Sequence, residues 1–339
     1  MKIAVFTKNW LGDVIFETPA IRIIKENFPD SYLIAVTSRR CVEILEANPY
    51  VDEVIAYGGD KDERNFFGQL NLIYRLRKRK IDRAYLFHRS ATRAFLVCCA
   101  GANERIGYRT NGRGMLLSHS VLQPKEPVHH VQYFLDLLRA TGHRVQNDYQ
   151  YEFYFKPHDL EKAEALLAQH HLDSNRLIAI NAGANWPPKR WPASHFGSLA
   201  SQLIDRFGVQ IVLTGSTEDC AIANEILSYR NGSSIVSVCG KTTVRELGAL
   251  FSKCRLVISN DTGPLHIAAG VGANVLGIFG PTASRETAPL GRGKNVVIHY
   301  YPEGATLPWM GKKFPSPWME LISVDDVFQM IEKEKLLST

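Results

Sequence analysis

The chain has 339 residues, 45% of them hydrophobic and 22% charged, which is enough for two domains with sizeable cores. No apolar run approaches a membrane span, the start at Met1–Phe6 does not read as a signal peptide, and six scattered cysteines without a CxxC exclude a disulfide scaffold and a structural zinc site. The net charge of +6 belongs to the first half: residues 1–156 hold 23 Lys+Arg against 17 Asp+Glu, and residues 157–339 hold 17 of each.

That half should therefore meet an anion, whether nucleic acid, a membrane surface or a phosphorylated substrate. Reduced cysteines of this kind fit a cytoplasmic protein.

In chain order, Lys2–Phe6 reads as a strand, Thr7–Gly12 as a loop, and Asp13 to about Phe28 as a helix carrying Pro19 in an early turn or at a kink. Strands follow at Leu33–Thr37, Val54–Ala56, Arg83–Phe87 and Arg105–Tyr108. Helices are expected over Cys41–Ala47, Phe66–Lys80, Thr92–Cys99 and His130–Gly142. The run Arg75–Lys80 reads as a solvated basic face at a helix C-terminus. Tyr149–Pro157 reads as the crossing to a second alternation. Its strands are Leu177–Asn181, Val209–Thr214, Ile235–Ser237, Leu256–Ile258 and Asn274–Phe279. Its helices are Asp159–His171, Ser194–Phe207, Asp219–Tyr229, Val244–Lys253 and Pro264–Ala269, and Val324–Lys335 closes the chain. Two such alternations predict an α/β protein of two doubly wound domains facing a central cleft, with ligands beyond the carboxyl ends of the strands.

Four loops after strands hold the polar candidates. Lys8–Asp13 ends on a carboxylate at a helix start, where the dipole keeps it ionised as a general base must be, although a plain N-cap reads the same way. Asn181–Pro192 places small residues, with Asn185, ahead of Lys189 and Arg190 in a frame of prolines and tryptophans. Lys189 is either a pyrophosphate ligand or a surface lysine. In Thr214–Asp219, Glu218 or Asp219 could accept from ribose hydroxyls or simply cap the next helix. Thr242, ahead of the Val244 helix, is a further donor-side candidate.

The fourth loop, Asn260-Asp261-Thr262-Gly263, opens a helix whose start is a natural phosphate seat. Thr262 can cap it, Pro264 sits in its first turn, and His266 shares the face of Thr262. No GxGxxG follows the first strand, and no P-loop, nucleophile elbow or metal-ligand spacing appears.

These pieces in this order resemble the heptosyltransferases of glycosyltransferase family 9. The matching features are Gly12-Asp13 with Thr18-Pro19, Asp82–Tyr85, Arg105–Tyr108 and the helix from His130; then Gly183-Ala184, Lys189–Pro192, Gly215-Ser216, Asn260–Gly263 with His266, and Phe279–Thr282. They span nearly the whole chain. The resemblance implies a GT-B fold, with an acceptor-binding domain over 1–156, a nucleotide-sugar-binding domain over 157–323 and a C-terminal helix over 324–339. It implies inverting transfer of heptose from ADP-heptose to the lipopolysaccharide inner core, with no metal and no cofactor.

By the same resemblance Asp13 is the base and Lys189 steadies the departing diphosphate. Thr262 and Gly263 bind phosphate, Asp261 and His266 support them, and Glu218 lies near the ribose. Arg89 and Arg93 are expected to touch the acceptor. The expected setting is cytoplasmic, with peripheral contact at the inner face of an inner membrane and no nucleic-acid partner. Two alternatives stay open: another nucleotide sugar as donor, or a non-catalytic binder of anionic polymers. One departure from the family is the absence of cysteines between Tyr300 and Met319, where some members carry a cluster.

Overall fold

The computed structural model describes residues 1–58, 65–146, 149–230, 232–300 and 318–337. The chain forms two compact units, Met1–Tyr154 and Phe155–Thr339.

In the first unit the order is β1 (Lys2–Phe6), α1 (Leu11–Asn27), β2 (Tyr32–Thr37), α2 (Val42–Glu46), β3 (Glu53–Ala56), α3 (Phe66–Arg79), β4 (Arg83–Leu86), α4 (Ala91–Cys99), β5 (Glu104–Tyr108), β6 (His119–Val121) and α5 (His130–Ala140). The six strands are all parallel in the order β3-β2-β1-β4-β5-β6. Helices on both faces explain why β1 and β2 are near-continuous apolar runs rather than alternating ones.

Helix α1 begins two residues earlier than its sequence pattern suggests, so Asp13 stands in its first turn and not at its cap. Pro19 lies inside this helix. A proline there removes the N–H that would bond the carbonyl four residues back. The Thr18 hydroxyl takes that place by donating to the Ile15 carbonyl at 2.8 Å, which is why the Thr-Pro pair is tolerated.

The second unit repeats the plan: α6 (Pro157–Gln169), β7 (Leu177–Asn181), α7 (Ala193–Phe207), β8 (Gln210–Thr214), α8 (Cys220–Leu227), β9 (Ile235–Ser237), α9 (Val244–Phe251), β10 (Leu256–Asn260), α10 (Gly263–Gly270), β11 (Val275–Phe279), α11 (Ser284–Thr287), β12 (Asn295–His299) and α12 (Val324–Lys333). Its sheet order is β12-β11-β10-β7-β8-β9, again all parallel. Counted within each unit, both sheets have the dinucleotide-fold order 3-2-1-4-5-6. Each unit is thus a doubly wound α/β domain, as the alternation of strands and helices predicts.

Helix α12 is a continuation of the second unit: Val327 and Ile331 join the core of Ile178, Ile180, Leu203 and Ile211. Strands β6 and β12 carry no strong pattern in the sequence, because none of their side chains is fully buried. The stretch between Tyr300 and Trp318, where the family's cysteines are missing, lies outside the described residues. Among the described residues no helix is long and apolar enough to cross a membrane.

Candidate active site

The strand order reverses between β1 and β4 in the first unit and between β7 and β10 in the second. Loops at such switch points leave an open crevice at the carboxyl edge, where ligands of doubly wound sheets bind.

In the first unit the β1–α1 loop is held from two sides. Arg93, on α4, is buried and donates to the Thr7 carbonyl at 2.6 Å and to Asn9 Oδ1 at 2.7 Å. Burial lowers its pKa to about 10, so it remains a cation at neutral pH. Arg93 was expected at an acceptor. It is instead a clamp inside the fold, and only Arg89 of that pair is exposed, its guanidinium over the Tyr133 ring and its Nε donating to the Tyr133 hydroxyl at 3.1 Å.

Glu17 holds the loop from beneath. Its Oε1 accepts the Lys8 N–H at 3.0 Å, while its Oε2 is buried without a partner. Burial raises the Glu17 pKa well above the usual carboxylate range, more than the Lys8 amide and the charges of Lys8 and Arg93 lower it.

Asp13 faces the Lys8 ammonium at 3.0 Å and the His130 Nδ1 at 3.9 Å. Burial and the Lys8 charge lower the His130 pKa to about 4, so its ring is neutral at physiological pH. Burial and the charge of Arg93 likewise bring His88, across the switch point, to about 3. Asp13 is thus a carboxylate paired to one cation and bordered by the buried Glu17 and by neutral imidazoles. No role was assigned to Lys8, Glu17 or His130 from the sequence, and nothing in a linear reading brings His130, at the start of α5, against the first turn of α1.

In the second unit the WPPKRW segment is pinned by its tryptophan. Trp191 is buried, its backbone N–H donates to Asn260 Oδ1 at 3.0 Å, and its indole donates to the Ile322 carbonyl at 2.8 Å. Asn260 in turn donates to the Ala182 carbonyl at 2.8 Å, tying the β7 and β10 loops together. The tight turn Pro187–Lys189 then places the Lys189 ammonium 2.7 Å from Asp261 Oδ2 and 3.1 Å from the Asp261 carbonyl.

Asp261 also accepts from the Thr282 hydroxyl at 2.8 Å and lies 3.8 Å from the buried His266. Burial would raise the Asp261 carboxyl, but the Lys189 ammonium, helped by His266, outweighs it and holds the group well below the usual carboxylate range. Thr282 was part of the quoted motif, but its role emerges only from this contact.

Thr262 occupies the cap position of α10, yet its side chain caps nothing; its hydroxyl turns back to the Asn260 carbonyl at 3.3 Å. Uncapped by Thr262 and beside a lysine, the amino end of α10 suits an incoming anion.

In the β8 loop Glu218 and Asp219 are placed differently. Asp219 caps its own turn, accepting from the Ser216 N–H and hydroxyl at 2.8 Å each. Its side chain lies against Gly183 and Gly215, where any Cβ would collide with it. Glu218 is left exposed at the loop tip, as is Asn185 in the β7 loop. Thr242 is half-buried beside Thr243, which caps α9 by accepting from the Glu246 N–H at 3.3 Å. Among the described residues no group of three or more His, Cys, Asp or Glu is gathered that could hold a metal ion.

The chain is 28% identical to lipopolysaccharide heptosyltransferase 2 of Escherichia coli over 306 residues, 88% of each chain. A solved structure of the E. coli ADP-heptose LPS heptosyltransferase II superposes with a TM-score of 0.82 at 26% identity, covering 99% of this chain and 98% of that one. A family 9 glycosyltransferase from Veillonella parvula has the same fold, with a TM-score of 0.90 at 21% identity over 99% and 97% of the two chains. The pattern of glycosyltransferase family 9 (heptosyltransferase) matches residues 69–308. With two sheets of the same order and a cation beside an uncapped helix start, this chain belongs to glycosyltransferase family 9, the heptosyltransferases, and is a glycosyltransferase.

Proposed function

We propose that this enzyme moves a heptosyl group from ADP-heptose to the inner core of lipopolysaccharide, inverting the anomeric centre and using no metal. The observation that carries the reading is the Lys189–Asp261 pair beside the uncapped amino end of α10. As the anomeric C–O bond to the diphosphate breaks, negative charge grows on the leaving oxygen. Lys189 and the Gly263 N–H are there to receive it, a preorganised electrostatic role that a metal ion serves in other transferases.

Asp13 takes the proton of the acceptor hydroxyl as that oxygen bonds to the anomeric carbon, and ADP departs with both electrons of the broken bond. Lys8 holds the Asp13 carboxylate in position through their 3.0 Å ion pair before the acceptor arrives. Asp261 holds the lysine in place, with His266 behind it, and Thr262 offers a hydroxyl to phosphate. Glu218, Asn185 and Thr242 are assigned to the nucleotide side, and Arg89 to the acidic acceptor. The enzyme is assigned to the cytoplasm, where its donor is available, with peripheral contact at the membrane that carries its acceptor.

Asp13→Asn should abolish transfer from ADP-heptose while leaving ADP affinity within about twofold, a factor worth only ~0.4 kcal/mol. Normal turnover in that variant removes Asp13 as the base. UDP or GDP binding as tightly as ADP turns the donor assignment to another nucleotide sugar.

A further inference from the structure

Helix α3 is apolar on two faces. Leu72 and Leu76 are buried in the core of the first unit. On the opposite side Phe66, Phe67, Leu70 and Tyr74 are 69%, 77%, 45% and 64% exposed. At about 100° per residue these four fall within an arc of roughly 100°, so they form one stripe. Single exposed apolar side chains are ordinary on a protein surface, whereas four on one helix face mark a contact surface. The rings of Phe66 and Phe67 meet edge to face at 5.8 Å, making the first turn a compact apolar knob.

Charge identifies the occupant. From Phe66 to Lys80 the chain carries five basic residues and no acidic one. Arg79 is engaged by Glu53 and Arg77 reaches back to the Cys99 carbonyl. Arg75 and Lys78, on the flank of the stripe, line a shallow cavity of about 540 Å³ with Lys2, Tyr32, Tyr74 and the Glu53–Arg79 pair. An apolar stripe flanked by cations is the pattern of a helix lying in a bilayer interface, its rings among the acyl chains and its bases at anionic headgroups. A soluble partner chain would have to be both apolar and acidic to match it.

We propose that the outer face of α3 docks the enzyme on a bilayer containing anionic phospholipid, Phe66, Phe67, Leu70 and Tyr74 entering the interface and Arg75 and Lys78 meeting lipid phosphates. Because β3 and β4 are parallel members of one sheet, the connecting helix runs back from its carboxyl edge. The aromatic first turn of α3 therefore lies at the same edge as the loop that carries Asp13. Docking there keeps the acceptor side of this unit near the surface in which a lipid-linked acceptor would be anchored. The docking itself stands whatever sugar is transferred.

The test is co-sedimentation of the full chain with vesicles of phosphatidylcholine alone and of phosphatidylcholine mixed with phosphatidylglycerol. The expected result is strong binding to the mixed vesicles, little to the neutral ones, and loss with rising salt. Arg75→Gln with Lys78→Gln should weaken partitioning about thirtyfold, as for two bases at an anionic surface. Serine at Phe66, Phe67, Leu70 and Tyr74 should weaken it at least tenfold. Circular dichroism and ADP binding should match the parent in both variants.

Failure of the parent to bind mixed vesicles overturns the proposal, and so does unchanged binding by either variant. A dimer in sedimentation velocity that the serine variant dissolves assigns the stripe to a second copy instead. None of these readouts depends on heptosyl transfer, so a failed donor assignment would not be mistaken for failed docking.

Discussion

Replacing Lys189 by methionine removes the ammonium 2.7 Å from a carboxylate whose side chain is only 5% exposed. At that distance, with an effective dielectric near 20, the attraction is roughly 6 kcal/mol. Part of it is offset because the lysine itself regains water, and the Thr282 hydroxyl and His266 still support the stranded carboxylate. The expected loss is about 3–5 kcal/mol at neutral pH, the range for breaking one half of a buried pair.

The pH dependence has a definite sign. In the parent the Asp261 pKa is held below its unfolded value of about 3.9, so the pair's stability is fully present above that pH and is lost as pH falls through the folded value. In the methionine variant burial is opposed only by Thr282 and His266, so the Asp261 pKa rises and the loss of stability on acidification shrinks. Urea unfolding followed by the fluorescence of Trp186, Trp191 and Trp318, all in the second unit, measures this directly.

Lys189→Met with Asp261→Asn separates structure from chemistry. It should regain most of the lost stability, since no charge is stranded, while transfer stays slower by about 10²–10³. A loss below about 1 kcal/mol in the single variant, the range of an exposed pair, would refute the reasoning. Recovered transfer in the double variant would remove Lys189 from catalysis.

Glu17→Gln keeps an acceptor for the Lys8 N–H but removes the titrating acid. The raised pKa of Glu17 means its stability contribution is full below about pH 4.3 and declines as pH rises toward the folded value. The variant should therefore gain stability relative to the parent as pH increases above about 4.3, with transfer retained; denaturation at pH 5 and pH 8 decides it. Gly183→Ala forces the Asp219 carboxylate off Ser216, so thermal melts should show a loss of about 1 kcal/mol, the worth of one cap, together with weaker ADP binding.

Much of the fold is legible in the sequence because parallel strands buried on both faces read as apolar runs, and amphipathic helices between them keep their period. β7, β10 and β11 stand out in this way, and so do the turns that end them. Strands β6 and β12 do not, since their pairing partners give them structure that their own residues do not dictate. The aromatic stripe of α3 hid for the same reason, because periodicity marks an apolar face without telling whether it is covered.

The residue types at the site were determined by the chain alone: an acid at a helix start, a lysine among prolines, a threonine and glycine before a helix. Tertiary structure decided their employment. Arg93 went inward because the β1–α1 loop needed a donor for the Thr7 carbonyl and Asn9. Asp219 went to a cap, leaving Glu218 exposed. Lys8, His130 and Thr282 gained partners 5, 117 and 21 residues away in the chain. Burial and the nearest opposite charge set what an ionisable group does, and both are properties of the folded neighbourhood that a linear order of residues does not contain.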